Sequence, residues 1–351
     1  MGTPTSTAAA ISDLVRPLPT DSCAYSDPSG AGTVTFVEGG HLFEVGDVST
    51  RPARCLTAVD PADTGPLRWS PNGERVLLGG ATVVDATGTR PSGYFAENRD
   101  VDWSAPSGKA LIAPSVNDGT LVWRSSTDSK SRIDVSFLAE TTAAAYHPAG
   151  RAIIAAGTTE DGRTGIYLAS NRGKDRKELA VVDDPATTAI TEVAFNSDGG
   201  VVEFLHQHAG FYHVHQLQIP GLQLVDLVEE PGTADRLTVS DTDRQTVAWR
   251  RTTPDGQVTV RISFDGSAAV DAVAGAGAQG STLEPVGWLP VNHLVVLEHP
   301  AGSPDGPGRL WIVSQNQSAQ QLASGVERAA VRTIHGEYNE LPTDIAEQAP
   351  G

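Results

Sequence analysis

The chain has 351 residues, 39% of them hydrophobic, with 43 acidic against 25 basic residues and a net charge of −18. An excess of negative charge on that scale excludes a cationic face for phosphate backbones and disfavours an anionic membrane surface, while it favours basic partners and divalent cations. The 36 glycines and 23 prolines are spread along the whole chain, which breaks it too often for long helices and suits many short strands joined by turns.

Residues 1–24 read as an extension with a short helix over Thr7 to Leu18. They lack the charged and apolar regions of a signal peptide, and no apolar run reaches the roughly 18 residues that span a bilayer, so a soluble chain without membrane insertion is expected. The two cysteines, Cys23 and Cys55, flank the first predicted strands. Two readings stand for them: a disulfide that ties the extension to the body and places the protein in an oxidising, extracytoplasmic compartment, or two reduced thiols in a cytoplasmic protein. Neither cysteine lies in a CxxC or metal spacing. Ser26-Asp27-Pro28-Ser29-Gly30 superficially resembles a sialidase Asp box but lacks its spacing and terminal Trp.

From residue 33 onward one phrase recurs: an apolar residue, a variable one, an aromatic, a Ser/Pro/Asn/Asp/Gly turn, then a second apolar strand. Clear copies are Leu67-Arg68-Trp69-Ser70-Pro71-Asn72-Gly73, Val101-Asp102-Trp103-Ser104, Ala144-Ala145-Tyr146-His147-Pro148 and Val193-Ala194-Phe195-Asn196-Ser197-Asp198-Gly199; weaker ones are Leu237-Thr238-Val239-Ser240-Asp241 and Val286-Gly287-Trp288-Leu289-Pro290. The third residues of successive copies are 34 to 49 apart, close to the length of one propeller blade. Before the first copy, Thr33 to Val37, His41 to Val45 and Arg54 to Ala58 read as three strands without an inner one, and at the far end Val326 to Arg332 reads as an inner strand alone. The expected fold is therefore all-β, a seven-bladed β-propeller over residues 25–335, closed by a C-terminal strand that completes the N-terminal blade and removes the open sheet edges. Residues 336–351, acidic and Pro-containing, read as a disordered tail.

The phrase resembles the WD40-like repeat of TolB-type bacterial propellers, whose units carry a W/F-S-P-D-G turn; Trp69-Ser70-Pro71-Asn72-Gly73 and Phe195-Asn196-Ser197-Asp198-Gly199 carry the likeness. It spans roughly residues 33 to 332. Departures from TolB are expected in two respects, no N-terminal α/β domain and seven blades where TolB has six, and the repeated phrase lacks the GH and WD dipeptides of WD40 proteins. What the resemblance implies is a rigid disc that binds proteins or peptides on a face or at the channel mouth, often outside the cytoplasm.

The small variable residues Ala145, Ala194, Thr238, Gly287 and Ala330 fit inner strands crowded around an axis. Arg68 and Asp102 are the exceptions, either paired across the channel mouth or solvated there. The aromatics Trp69, Trp103, Tyr146, Phe195 and Trp288 read as wedges between blades. Four of the nine histidines fall in His206-Gln207-His208-Ala209-Gly210-Phe211-Tyr212-His213-Val214-His215. With Ala209-Gly210 as a two-residue turn, His206 opposes His213, with His208 and His215 diagonal on the same face. Such imidazoles can ligate Zn²⁺, Cu²⁺ or Ni²⁺, or can fill a half-polar interface between blades.

No G-x-S-x-G, H-E-x-x-H, Walker loop or dinucleotide fingerprint occurs. Asp198, Asp241, Asp243, Asp255 and Asp305 sit where turns place aspartates. No catalytic residue and no cofactor beyond a divalent metal is assigned. The function expected is a non-enzymatic scaffold for a protein or peptide partner, in a cell-envelope assembly. The alternatives are a propeller hydrolase or lyase with a carboxylate-lined channel mouth and a metal-binding propeller. The loop Pro300 to Gly308 and the strand expected over Val291 to Leu297 mark the last full blade as a site of recognition.

Overall fold

The structure, a computed structural model, describes Cys23 and most of residues 33–332; connecting segments such as 47–52, 92–101, 104–109, 115–120, 171–175, 183–187, 241–245 and 273–279 fall outside, as do residues 1–22 and 333–351. The expected extension, its helix and the acidic tail thus lie outside the described residues. Within them the chain is entirely strand and turn.

The strands are antiparallel and meander in groups. β1 (Thr33–Glu38), β2 (His41–Val45) and β3 (Arg54–Ala58) come first. Four-stranded sheets follow: β4 (Leu67–Trp69), β5 (Arg75–Leu78), β6 (Thr82–Asp85) and β7 (Gly88–Pro91); then β8 (Asp102–Trp103), β9 (Ala110–Pro114), β10 (Leu121–Ser125) and β11 (Lys130–Ile133). The next are β12 (Leu138–Tyr146), β13 (Ala152–Thr159), β14 (Thr164–Ser170) and β15 (Arg176–Val182), then β16 (Thr188–Phe195), β17 (Val201–His208), β18 (Phe211–Gln218) and β19 (Gln223–Pro231). β20 (Thr233–Val239), β21 (Val247–Thr252), β22 (Val258–Ser263) and β23 (Val270–Asp271) form another, and β24 (Thr282–Leu289), β25 (His293–His299), β26 (Gly308–Val313) and β27 (Ala319–Arg332) end the series.

β27 belongs to two groups. Its first half pairs with β26, from Val313↔Ala319 to Gly308↔Val326, and its second half pairs with β1, from Glu38↔Val326 to Thr33↔Arg332. One sheet in the order β24-β25-β26-β27-β1-β2-β3 results. The pairing of 326–332 beside 33–37 is the one the sequence predicts, but that segment is no separate strand: it continues the outer strand of the preceding group, turning at Gly325 with φ of 73°.

The repeated phrase has a local physical cause. After the aromatic, the amide of the turn's first residue reaches the carbonyl of the residue opening the next strand (Ser70 to Arg75, Asn196 to Val201, His147 to Ala152), and Ser70 Oγ and Asn196 Oδ1 accept the return amides of Arg75 and Val201. Gly73 and Gly199 close these turns at φ of 66° and 73°, a region glycine enters without steric cost. Gly199 is needed twice over, because a Cβ there would lie 2.3 Å from Nε2 of the buried His147.

The core lies between neighbouring sheets, so many strands are buried on both faces. Ile154, Ile166 and Leu168 of one sheet pack on Val202, Phe204 and Leu217 of the next, and Leu205, Tyr212 and Val214 pack in turn on Val247 and Trp249. This two-sided burial is why β13 and β17 read as near-continuous apolar runs. The phrase aromatics wedge between sheets as expected, and the indoles add a polar stitch. Trp103 Nε1 donates to the Arg68 carbonyl at 3.3 Å and Trp288 Nε1 to the Thr238 carbonyl at 3.2 Å, in each case the variable residue of the preceding phrase. Trp69 makes the same link through a relay: its Nε1 donates to Thr35 Oγ1 at 2.8 Å, and Thr35 Oγ1 donates to the carbonyl of Ala330 at 3.1 Å.

One expected strand boundary is corrected. Val291 does not open a strand: Val291 and Asn292 form the tip of the β24–β25 hairpin at φ of 59° and 55°, and the strand begins at His293. The mirror-image turn that matches strand twist needs positive φ at both central residues. Asn tolerates this well and β-branched Val poorly, so a valine gave no sequence sign of it.

Cys23 and Cys55 form a disulfide, with Cα atoms 5.4 Å apart, which fixes residue 23 beside β3. Closing a separation of 32 residues should stabilise the fold by about 3–4 kcal/mol on the chain-entropy account. Reduction, or Cys55→Ser, is expected to lower stability by that order in denaturant titrations, with the Cys55→Ser protein insensitive to reductant. Trp69→Phe should cost about 1–3 kcal/mol, because it strips a donor from the buried Thr35 hydroxyl, and more than Trp103→Phe, whose bond is longer. Matched urea curves for the two variants check the ranking.

Candidate functional site

Each inner strand begins at the end of its sheet where the hairpin between its second and third strands turns. Thr188 of β16 pairs with His208 beside the Ala209-Gly210 turn, and Thr282 of β24 pairs with His299 beside loop 300–307. The Gly232 amide, just before β20, bonds the Gly210 carbonyl at 2.8 Å. Charged inner-strand residues, the histidine hairpin and the long loop therefore gather at one end.

The inner-strand charges interlock. Both oxygens of Glu192 accept backbone amides of the next sheet, from Arg236 and Leu237, at 2.6 Å each. Asp235 is held by Arg250 through two guanidinium bonds, and Arg236 lies 3.5 Å from Glu284. Burial pushes the Glu192 carboxyl up from its ordinary range, while the two amides and the Arg68 charge oppose the shift. Arg68 thus acts toward Glu192, and its Nε is buried. The Asp102 side chain lies outside the described residues, so the expected pairing of Arg68 with Asp102 has no geometry to report.

The hairpin forms in the predicted register. Ala209 and Gly210 turn at φ of 48° and 85°, and His206 faces His213. Phe204, His206 and His208 on β17 share a face with Phe211, His213 and His215 on β18. His206 Nδ1 lies 3.4 Å from His215 Nε2, and the His206 and His213 rings stack at 5.0 Å. Each of His206, His213 and His215 brings one ring nitrogen within 4.8 Å of the others; His208 stands outside that trio, its ring 6.2 Å from His206. Burial, then the neighbouring imidazoles, lowers His206 to about 4 and His215 to about 3. Asp226 joins from β19, 3.4 Å from His213 Nδ1 and 3.7 Å from His215 Nδ1. Asp226 was not foreseeable from residue spacing, because a bulge in the β18–β19 pairing between Val214 and His215 sets it opposite His215.

At loop 300–307 lies a groove of about 310 Å³, lined by Pro300, Ala301, Pro307, Ser324 and Gly325. Glu298 belongs to the lining too; it is buried and accepts hydrogen bonds at 2.8 Å from both Arg309 and the Trp311 indole. Phe211, exposed, opens β18 just after the Ala209-Gly210 turn, in a sheet separated from the groove by β20–β23.

No protein-family model matches the chain, and no curated protein matches it by sequence. Solved structures do. A putative 6-phosphogluconolactonase from Bacteroides uniformis superposes with a TM-score of 0.52 at 11% identity, over 85% of this chain and 98% of that one. An oligogalacturonate lyase in complex with manganese gives 0.50 at 16% identity, over 74% and 73% of the two chains. A putative TolB from Agrobacterium tumefaciens gives 0.48 at 14% identity, over 86% and 97%. The fold is a β-propeller. At such identities the likeness carries the fold and leaves scaffold and enzyme both open.

Glu203, one residue before Phe204 in β17 and facing the opposite side of the sheet from the histidines, is fully buried; Gln216 donates to its Oε1 at 2.7 Å and its Oε2 has no hydrogen-bond partner. Burial lifts its carboxyl from 4.5 to about 8, against the Gln216 bond. The folded chain thus holds a proton that the unfolded chain releases. The stability this contributes is complete below pH 4.5 and is lost as pH rises through about 8. Glu203→Gln keeps the neutral form at every pH, so its melting temperature should gain on the wild type by several degrees between pH 5 and 8. Paired thermal melts across that range measure it.

Proposed function

We propose that this protein is a seven-bladed propeller, closed by β27, that serves as a binding platform for a protein or peptide partner. Contacts between successive inner strands support the ring. β8 meets β12, β12 meets β16, β16 meets β20, β20 meets β24, β24 meets β27 and β27 meets β4, while the Trp103 indole bridges β8 to β4. The observation that carries the binding reading is how the inner-strand charges are used. Glu192, Asp235 and Glu284 are each engaged by backbone amides or guanidinium groups. A carboxylate pair for general acid–base work needs groups free to exchange protons with a substrate. The same end carries the groove under loop 300–307 and the exposed Phe211 ring, the apolar relief that recognition of a chain segment uses.

The net charge of −18 selects a neutral or basic partner. The disulfide is compatible with an extracytoplasmic location, where a cell-envelope partner would meet it. The competing reading, a hydrolase or lyase, has one observation on its side: the carboxyl of Glu192, raised by burial and near Arg68.

Affinity capture from native extracts, with wild type beside an Ala301→Arg/Phe211→Glu double variant, tests the proposal. A partner recovered by the wild type and depleted at least tenfold by the variant is the expected result. Equal recovery by both, or turnover of a substrate lost in Glu192→Gln, would overturn it.

A further inference from the structure

The histidine hairpin is independent of the binding platform, and its geometry goes further. We propose that His206, His213 and His215 form a binding site for a divalent late transition metal, Zn²⁺ foremost, with Asp226 and Glu229 at its rim.

Three observations converge. The first is spacing: one ring nitrogen from each histidine falls within 4.8 Å of the other two, and the His206 Nδ1 to His215 Nε2 separation is 3.4 Å. A tetrahedral Zn²⁺ with Zn–N bonds of about 2.0–2.1 Å sets neighbouring ligand atoms about 3.4 Å apart. That pair already stands at coordination distance, and a ring nitrogen of His213 lies within 4.8 Å of both. The second is the state of the buried nitrogens. His206 and His215 are 5% and 8% exposed, and His206 Nε2 and His215 Nδ1 find no hydrogen-bond partner among the described residues. A ring buried for packing alone normally satisfies its polar atoms, since leaving one unpaired costs about 1–3 kcal/mol. The opposite nitrogens of the same two rings, His206 Nδ1 and His215 Nε2, are the pair 3.4 Å apart.

The third is the carboxylate shell. The β-bulge that re-aims Asp226 sets it 3.4 Å from His213 Nδ1 and 3.7 Å from His215 Nδ1, and His213, Asp226 and Glu229 form a second group with donor atoms within 4.8 Å. A carboxylate against the far nitrogen of a ligating imidazole fixes its tautomer and raises its basicity. His213 is partly exposed and Asp226 more so, which gives an ion a path in from solvent at the β19 edge. Three imidazoles with an open side suit Zn²⁺, Ni²⁺ or Cu²⁺ and not Mg²⁺ or Ca²⁺, which take oxygen shells. Bound there, the ion would link β17 and β18 on the hairpin face that packs toward β12–β15.

Calorimetry with ZnCl₂ on the full chain, stripped with chelator, at about pH 7.5 is the test, with Co²⁺ absorption as the probe of geometry. The expected result is one equivalent bound in the low micromolar range or tighter and intense visible Co²⁺ bands. Asp226→Asn, at an exposed position that leaves the core intact, should weaken binding about tenfold. His213→Ala should weaken it further, and His213→Ala/His206→Gln should abolish it while far-UV circular dichroism stays unchanged. A wild type with no affinity tighter than about 100 μM, or equal affinity in Asp226→Asn and the double histidine variant, would overturn the proposal.

Discussion

The pairing of β27 with both β26 and β1 is the constraint on which the rest of the molecule depends. It joins the last sheet to the first, so strands almost three hundred residues apart in sequence share one ladder. The side chains around the junction reinforce it. Thr35 bonds the Ala330 carbonyl and receives the Trp69 indole, Arg332 lies over the Trp69 ring at 5.0 Å, and Arg328 donates to the Gly65 carbonyl at 2.6 Å. Where Trp103 and Trp288 bond the preceding inner strand directly, Trp69 reaches β27 through the Thr35 hydroxyl.

From that junction follows the division of labour between faces and ends. The faces of the sheets are spent on one another, as the apolar packing between neighbours makes plain, which leaves the ends of the sheets for chemistry and recognition. At the end described above, acidic groups on inner strands are held by amides and guanidinium groups of the adjoining sheet, so they stitch sheets together. The histidines sit differently. They occupy inter-sheet surface on the face of β17 and β18 that Phe204 shares, and His206 Nε2 and His215 Nδ1 have no hydrogen-bond partner among the described residues.

Much of this was legible in the amino-acid order. The Ser70, His147 and Asn196 turns, the crowding of Ala145, Ala194 and Gly287, and the His206–His213 register all follow from rules local to a hairpin, and local rules are what a sequence states openly. Where the structure departs, the cause is long-range. Val291 takes a left-handed turn position that its own preferences oppose, and the segment before Val326 is continuous strand because β26 and β1 both demand its edge. Asp226 enters the histidine group only through a bulge, and Glu192 meets its amides only through the next sheet, 44 and 45 residues on.

The sequence by itself determined the repeat, the all-β character, the turn chemistry and the facing of His206 and His213, because each is set by residues within a few positions of one another. Tertiary structure alone decided that Cys23 meets Cys55, that Glu203 is buried on a protonated carboxyl, and which acidic groups are locked and which border the histidines. The physical reason is that burial and partnership belong to the packing between sheets. A residue's neighbours there are fixed by which sheets meet, and the first and last of them meet at the strand they share, β27.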